Sequence, residues 1–77
     1  MKLDKLIRMA NEIARNLRSQ PGDGAIAATT EHIKSFWTPG MRASLIAHAE
    51  SGGEGLDPIA LLALRGLGAT SADVTRQ

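Results

Sequence analysis

The stretch FWTPGMR, residues 36–42, brings together the only Phe and the only Trp of a 77-residue chain, immediately before a proline. The residue before a proline avoids helical geometry, threonine is a good helix N-cap, and proline is favoured at the first helical position. Thr38 and Pro39 therefore predict that one helix ends and another begins with almost no loop. We expect Phe36 and Trp37 to bury about 150–250 Å² each and to anchor the angle between these helices. A stacking platform for a base or cofactor is the functional alternative.

Helical periodicity extends to both sides of this corner. Apolar residues spaced by three or four positions predict an amphipathic helix within residues 1–20. Its apolar stripe consists of Leu3, Leu6, Ile7, Ala10, Ile13, Ala14 and Leu17. The PG pair at 21–22 breaks that helix, and Asp23 is expected to cap the second one. The third helix is expected to run from position 39 to about 51, where the GG pair at 52–53 supplies the left-handed residue that commonly ends a helix.

A fourth, short helix is predicted by LDPIALLAL, residues 56–64. Asp57 provides its cap and Pro58 its first helical residue. At about 100° per residue its apolar side chains fall all round the axis, and Arg65 is its one charged side chain. A helix without a polar face needs cover on more than one side. An exposed patch of this kind usually marks a contact with another chain.

These patterns predict an all-α fold, a small three-helix bundle with a short apolar fourth helix. A single helical domain is expected over residues 1–68. Gly66 and Gly68 are expected to end the fourth helix, and the polar residues 69–77 are expected to form a frayed, flexible C-terminal tail. A chain this short buries only about 60% of the surface that its unfolded form exposes. Its core is therefore marginal, and we expect another molecule to complete it.

Composition excludes several classes of function. Cysteine is absent and only two histidines are present, which excludes disulfides and thiol catalysis and argues against iron–sulfur ligation and an ordinary structural zinc site. A net charge of +1 argues against nucleic acid as the main ligand. No apolar run approaches the roughly 20 residues of a membrane span, and we expect a cytoplasmic protein without its own cofactor. A metal site of His32 and His48 with Glu31 and Glu50 can be drawn, but two histidines without a short-range motif are a weak signal.

Three blocks of the sequence carry a family resemblance: LIRMANEIA (6–14), HIKSFWTPGMR (32–42) and LIAHAESGGEGLDPIALLAL (45–64). They resemble the delta subunit of soluble, NAD-dependent, molybdenum-containing formate dehydrogenases, whose pattern reads R-M-A-N-x-I, H-I-x-x-F-W-x-P-x-M-R and H…G-G-x-G-L-D-P. The chain departs from that family at Thr38 and Gly40, where members tend to have an acidic residue before the proline and a basic one after it.

The resemblance implies a non-catalytic accessory subunit of an oxidoreductase complex, with no catalytic, cofactor-binding or metal-binding residues of its own. It would aid assembly or stability by docking on the catalytic subunit of formate dehydrogenase or of a related oxidoreductase. The predicted protein interface consists of Trp37, Met41, Arg42, His48, Leu56, Ile59, Leu61, Leu62 and Leu64.

Two alternatives remain open at this point. In the first, the chain is a small chaperone or carrier for the molybdenum cofactor, with the basic residues of the first helix and Trp37 contacting phosphate and pterin; these basic residues are Lys5, Arg8, Arg15 and Arg18. The interspersed acidic residues also fit a plain solvated helix face. In the second, the chain is a self-associating helical interaction protein, a homodimer that buries two apolar fourth helices against each other.

Overall fold

The computed structural model describes residues 2–21 and 23–76, with side chains as far as position 69, and this part of the chain is helical without strands. Its four helices are α1 (Leu3–Leu17), α2 (Gly24–Phe36), α3 (Pro39–Glu50) and α4 (Pro58–Arg76). The predicted all-α bundle is confirmed. The first three helices begin and end close to the positions that local signals indicated, because caps and prolines act over only a few residues.

The corner between α2 and α3 forms as the sequence predicts. The Thr38 hydroxyl accepts a hydrogen bond from the Met41 amide at 3.2 Å and caps α3. The Arg42 guanidinium donates to the carbonyl oxygens of Lys34 at 3.0 Å and Trp37 at 3.4 Å, which satisfies acceptors at the end of α2. This corner is therefore held by side-chain hydrogen bonds from both sides.

The two aromatic residues at this corner have opposite environments. Trp37 is only 6% exposed and belongs to the hydrophobic core, as expected, whereas Phe36 is 73% exposed. The expectation that both rings anchor the core is wrong for Phe36. Phe36 is the last residue of α2, whereas Trp37 follows it in extended backbone (φ −93°, ψ 145°). The two side chains therefore leave the chain in different directions, and the Trp37 ring is the one that reaches the core.

The core lies where α4 packs against the other three helices. Its buried members are Leu6, Ala10, Ala14, Ile33, Trp37, Leu45, Ala49, Ala60 and Leu64. The chain itself covers the fourth helix on several sides, and Leu64 is fully buried while Leu61 is half-buried. The expectation that another molecule must cover this helix is therefore wrong for Leu64, and only Leu62, at 51% exposure, remains a large exposed apolar side chain on the described part of α4.

The fourth helix is longer than predicted. It continues through Gly66 and Gly68 to Arg76 and has 19 residues. A glycine inside a helix costs only about 1 kcal/mol, and Gly68 has a packing role, because a Cβ atom there would lie 2.9 Å from Cγ2 of Ile46 on α3. The division of the chain at residue 68 and the flexibility of the tail stay predictions, and Gln77 lies outside the described residues.

The loop between α3 and α4 is joined to α1 by one asparagine. The Asn11 amide donates to the Gly55 carbonyl at 2.8 Å, and its oxygen accepts from the Asp57 backbone amide at 2.7 Å. Asp57 in turn caps α4 by accepting from the Ile59 amide at 2.9 Å, and its other carboxylate oxygen pairs with Arg18 at 2.8 Å. These bonds hold the start of α4 against the middle of α1.

Glycines allow this loop to turn sharply. Gly52, Gly53 and Gly55 all have positive φ, and the Gly53 amide donates to the His48 carbonyl at 2.9 Å, so the predicted helix end at this point is confirmed. Nε2 of His48 lies 2.8 Å from the Glu54 carbonyl oxygen and donates to it in the Nε2–H tautomer. The cap predicted at Asp23 is correct in position, but its side chain makes no capping hydrogen bond.

Candidate functional site

A surface groove lies between α1 and the corner that joins α2 to α3. Its volume is about 540 Å³. The residues that line it are Lys5, Arg8, Met9, Glu12, Ile13, Asn16, Leu17, His32, Phe36, Trp37 and Met41. We call this feature the α1–α2 groove.

The α1 wall of the groove has an apolar floor and a polar rim. The half-buried side chains of Met9, Ile13 and Leu17 recur every four residues and form the floor. The rim is formed by exposed polar residues. Arg8, Glu12 and Asn16 each immediately precede a floor residue, and Lys5 lies about one turn before Met9. The core itself takes a separate row of α1, Leu6, Ala10 and Ala14. The apolar stripe of α1 is therefore wider than the core alone requires.

The opposite wall is aromatic. His32 and Phe36 lie one turn apart on α2, and their ring centroids are 4.7 Å apart with an interplanar angle of 36°. Both side chains are exposed, and Trp37 and Met41 close the wall at the corner. The most exposed large apolar side chain of the described residues, Phe36, thus borders this apolar groove.

The charged residues of the rim have no partners within the described part of the chain. Lys5, Arg8 and Glu12 form no ion pair there. The ion pair that the described part of the chain does contain, between Arg18 and Asp57, lies outside the groove lining. The rim therefore presents two cations and one carboxylate to solvent. These charges are available to a ligand without first breaking an internal pair.

The structure divides the nine residues of the predicted interface among different environments. Trp37 and Met41 line the α1–α2 groove, although Trp37 exposes little of its surface. The other seven lie outside the groove lining: Arg42, His48, Leu56, Ile59, Leu61, Leu62 and Leu64.

Most of those seven have a structural role inside the chain. Arg42 caps α2 and His48 holds the loop after α3. Three more are half-buried against the core, namely Leu56, Ile59 and Leu61. Leu64 is buried and has no surface to offer a partner, so Leu62 is the member that presents an exposed apolar side chain.

Sequence reasoning missed the groove itself. Periodicity places Ile13 and Leu17 in the same apolar stripe as the core residues of α1, leaves Met9 out of that stripe, and makes Phe36 a core anchor. One signal could have separated them, since the apolar positions of α1, with Met9 included, cover more than one row of the helix.

No group of three or more His, Cys, Asp or Glu side chains within the described residues is arranged to hold a metal ion. His32 stands in the groove wall and His48 is bound to a loop carbonyl, so the metal site drawn from the sequence does not assemble. No helix among the described residues combines the length and apolar character that crossing a membrane requires.

Comparison with known proteins gives one family. The family model described as the NADH-dependent formate dehydrogenase delta subunit FdsD matches residues 5–64. No curated protein and no solved structure was found to match the chain. The family match spans most of α1, all of α2 and α3, the loop that Asn11 holds and the first turns of α4. The chain therefore belongs to the family of delta subunits of NADH-dependent formate dehydrogenase.

Proposed function

We propose that the chain is a non-catalytic accessory subunit that docks on the catalytic subunit of formate dehydrogenase and aids assembly or stability of the complex. Membership of a subunit family supports a role within an enzyme complex. The observation that carries the proposal is the α1–α2 groove, an exposed apolar surface on a small chain whose remaining large apolar side chains are mostly inside.

The composition of the groove is that of an interface core. Aromatic residues, Met and Arg are enriched at the centres of protein interfaces, and the groove contains Phe36, Trp37, Met9, Met41 and Arg8. Burying an exposed Phe side chain contributes about 1.5–3 kcal/mol. That gain is available to association, because Phe36 is not used by the fold of the isolated chain.

The residues that carry the family resemblance fall into two groups. The first group has a role in the fold, as Asn11 holds the loop and Asp57 caps α4. The second group is found together on one surface, and its members Met9, Ile13 and Met41 also pack against the edge of the core. Its members, which all line the α1–α2 groove, are Arg8, Met9, Ile13, His32, Phe36 and Met41.

Co-expression with a tagged catalytic subunit tests the proposal. We expect the chain to be retained on the tagged subunit, and deletion of its gene to lower the yield or activity of the assembled enzyme. Failure to co-purify, together with unchanged complex yield and activity after deletion, would count decisively against a docking accessory subunit.

A carrier for the molybdenum cofactor is the second candidate. The groove volume of about 540 Å³ falls within the range of about 300–1,000 Å³ typical of small-molecule sites, and Lys5 and Arg8 stand on its rim. Two observations weigh against it, since Arg18 is paired with Asp57 and Trp37 is buried. Titration with the guanine dinucleotide form of the cofactor, followed by Trp37 fluorescence, decides the matter: no change at tens of micromolar excludes the carrier.

A further inference from the structure

We infer that the α1–α2 groove binds one amphipathic helix of the partner subunit, about three turns long, with its apolar face on the groove floor and acidic residues beside Lys5 and Arg8. This inference rests on the proposed docking function and adds the surface used and the chemistry of the segment bound.

The length of the groove fits a helix. Its α1 wall extends from Lys5 to Leu17, which is about 18 Å at roughly 1.5 Å per residue. A partner helix lying along α1 would therefore contribute about 12 residues, or three turns. The floor residues Met9, Ile13 and Leu17 recur every four residues and form a ridge, and such ridges pack into the grooves between side-chain rows of a second helix.

The groove suits apolar side chains better than a polar small molecule. Met9 and Met41 are unbranched and adapt to the shape of whatever packs on them. The charged and polar side chains of the lining, those of the rim and His32, are exposed to solvent. The one buried side-chain polar atom without a partner in the described residues, Oγ1 of Thr29, is not in the groove. A small polar ligand would find few inward-facing donors or acceptors to fix its orientation.

Charge complementarity selects the kind of helix. Lys5 and Arg8 are three residues apart on one edge of α1, and neither is paired with another described residue. Carboxylates spaced by about one turn on a partner helix would lie within reach of both. Such rim charges contribute mainly to the rate of association and to the register of the bound segment.

The test measures binding to the purified catalytic subunit with matched pairs of variants. Phe36→Ala is expected to weaken binding about tenfold or more, as truncation of an interface anchor does. Leu3→Ala, which truncates an exposed apolar side chain outside the groove lining, should bind like the wild type. Arg8→Glu is expected to weaken binding about two- to fivefold. Arg15→Glu is the control, because Arg15 is also exposed on α1 but lies outside the groove. Circular dichroism checks that each variant is folded.

Cross-linking then identifies the bound segment. With p-benzoylphenylalanine in place of Phe36, we expect the cross-link to map to a helical segment of the catalytic subunit that carries acidic residues. A cross-link to a loop, a strand or a second copy of this chain overturns the inference. So does wild-type binding by Phe36→Ala, although the docking function would then stand. If the wild-type chain itself does not bind, the proposed function fails.

Discussion

Replacing each of the two adjacent aromatic residues by alanine should affect stability very differently. Trp37 is almost completely buried in the core, and truncating a buried aromatic residue costs about 3–5 kcal/mol. At about 0.05–0.15 kcal/mol per residue, the whole chain has a free energy of unfolding of about 4–12 kcal/mol. Trp37→Ala therefore removes a large part of it. Phe36→Ala should change it by no more than about 0.5 kcal/mol, as for an exposed side chain.

Thermal unfolding followed by far-UV circular dichroism measures both changes without depending on Trp fluorescence. In a domain of this size, 1 kcal/mol shifts the Tm by about 4–8 °C. Trp37→Ala should therefore lower the Tm by at least about 12 °C, and Phe36→Ala by at most about 4 °C. The assignment of the two rings to core and surface would be refuted if Phe36→Ala were the more destabilised variant. It would also be refuted if the free energy of unfolding of Trp37→Ala were within about 1 kcal/mol of the wild-type value.

Three further predictions follow from other contacts. Asn11→Ala, which loses two hydrogen bonds to the loop before α4, should be less stable by about 2 kcal/mol in urea unfolding, while Asn16→Ala on the groove rim should be unchanged. Gly66→Ala should stabilise α4 by about 0.5–1 kcal/mol, since the added Cβ meets open space. Gly68→Ala should be about 1–3 kcal/mol less stable than Gly66→Ala, because its added Cβ meets α3. Equal stability of the two variants would contradict close packing at Gly68. Leu62→Asp should stay folded and sediment as a monomer, because Leu62 is exposed. If the wild type instead forms a concentration-dependent dimer and this variant does not, the contact surface lies on α4.

The positions of the helices could be predicted largely from the sequence. Thr38 before a proline, Asp57 before a proline and the glycines after α3 act through local sterics and short hydrogen bonds, and the structure forms each of these signals where it was expected. The end of α4 could not be predicted in this way. Gly66 and Gly68 look like stop signals, but the cost of a helical glycine is small, and close packing on α3 outweighs it at Gly68.

The candidate site depended on tertiary structure. Periodicity shows that a helix has an apolar stripe, but the position of its neighbours decides which row of that stripe is covered. On α1 the row with Leu6 is buried, and the row with Ile13 is left in a groove. On α4 we expected Leu64 to need cover from another molecule, but the chain itself covers it. The sequence alone determined where the helices begin, where three of them end, and which family the chain resembles. Only the tertiary structure decided that Trp37 faces inward and Phe36 outward, because α2 ends at Phe36 and the turn into α3 directs the Trp37 ring into the core.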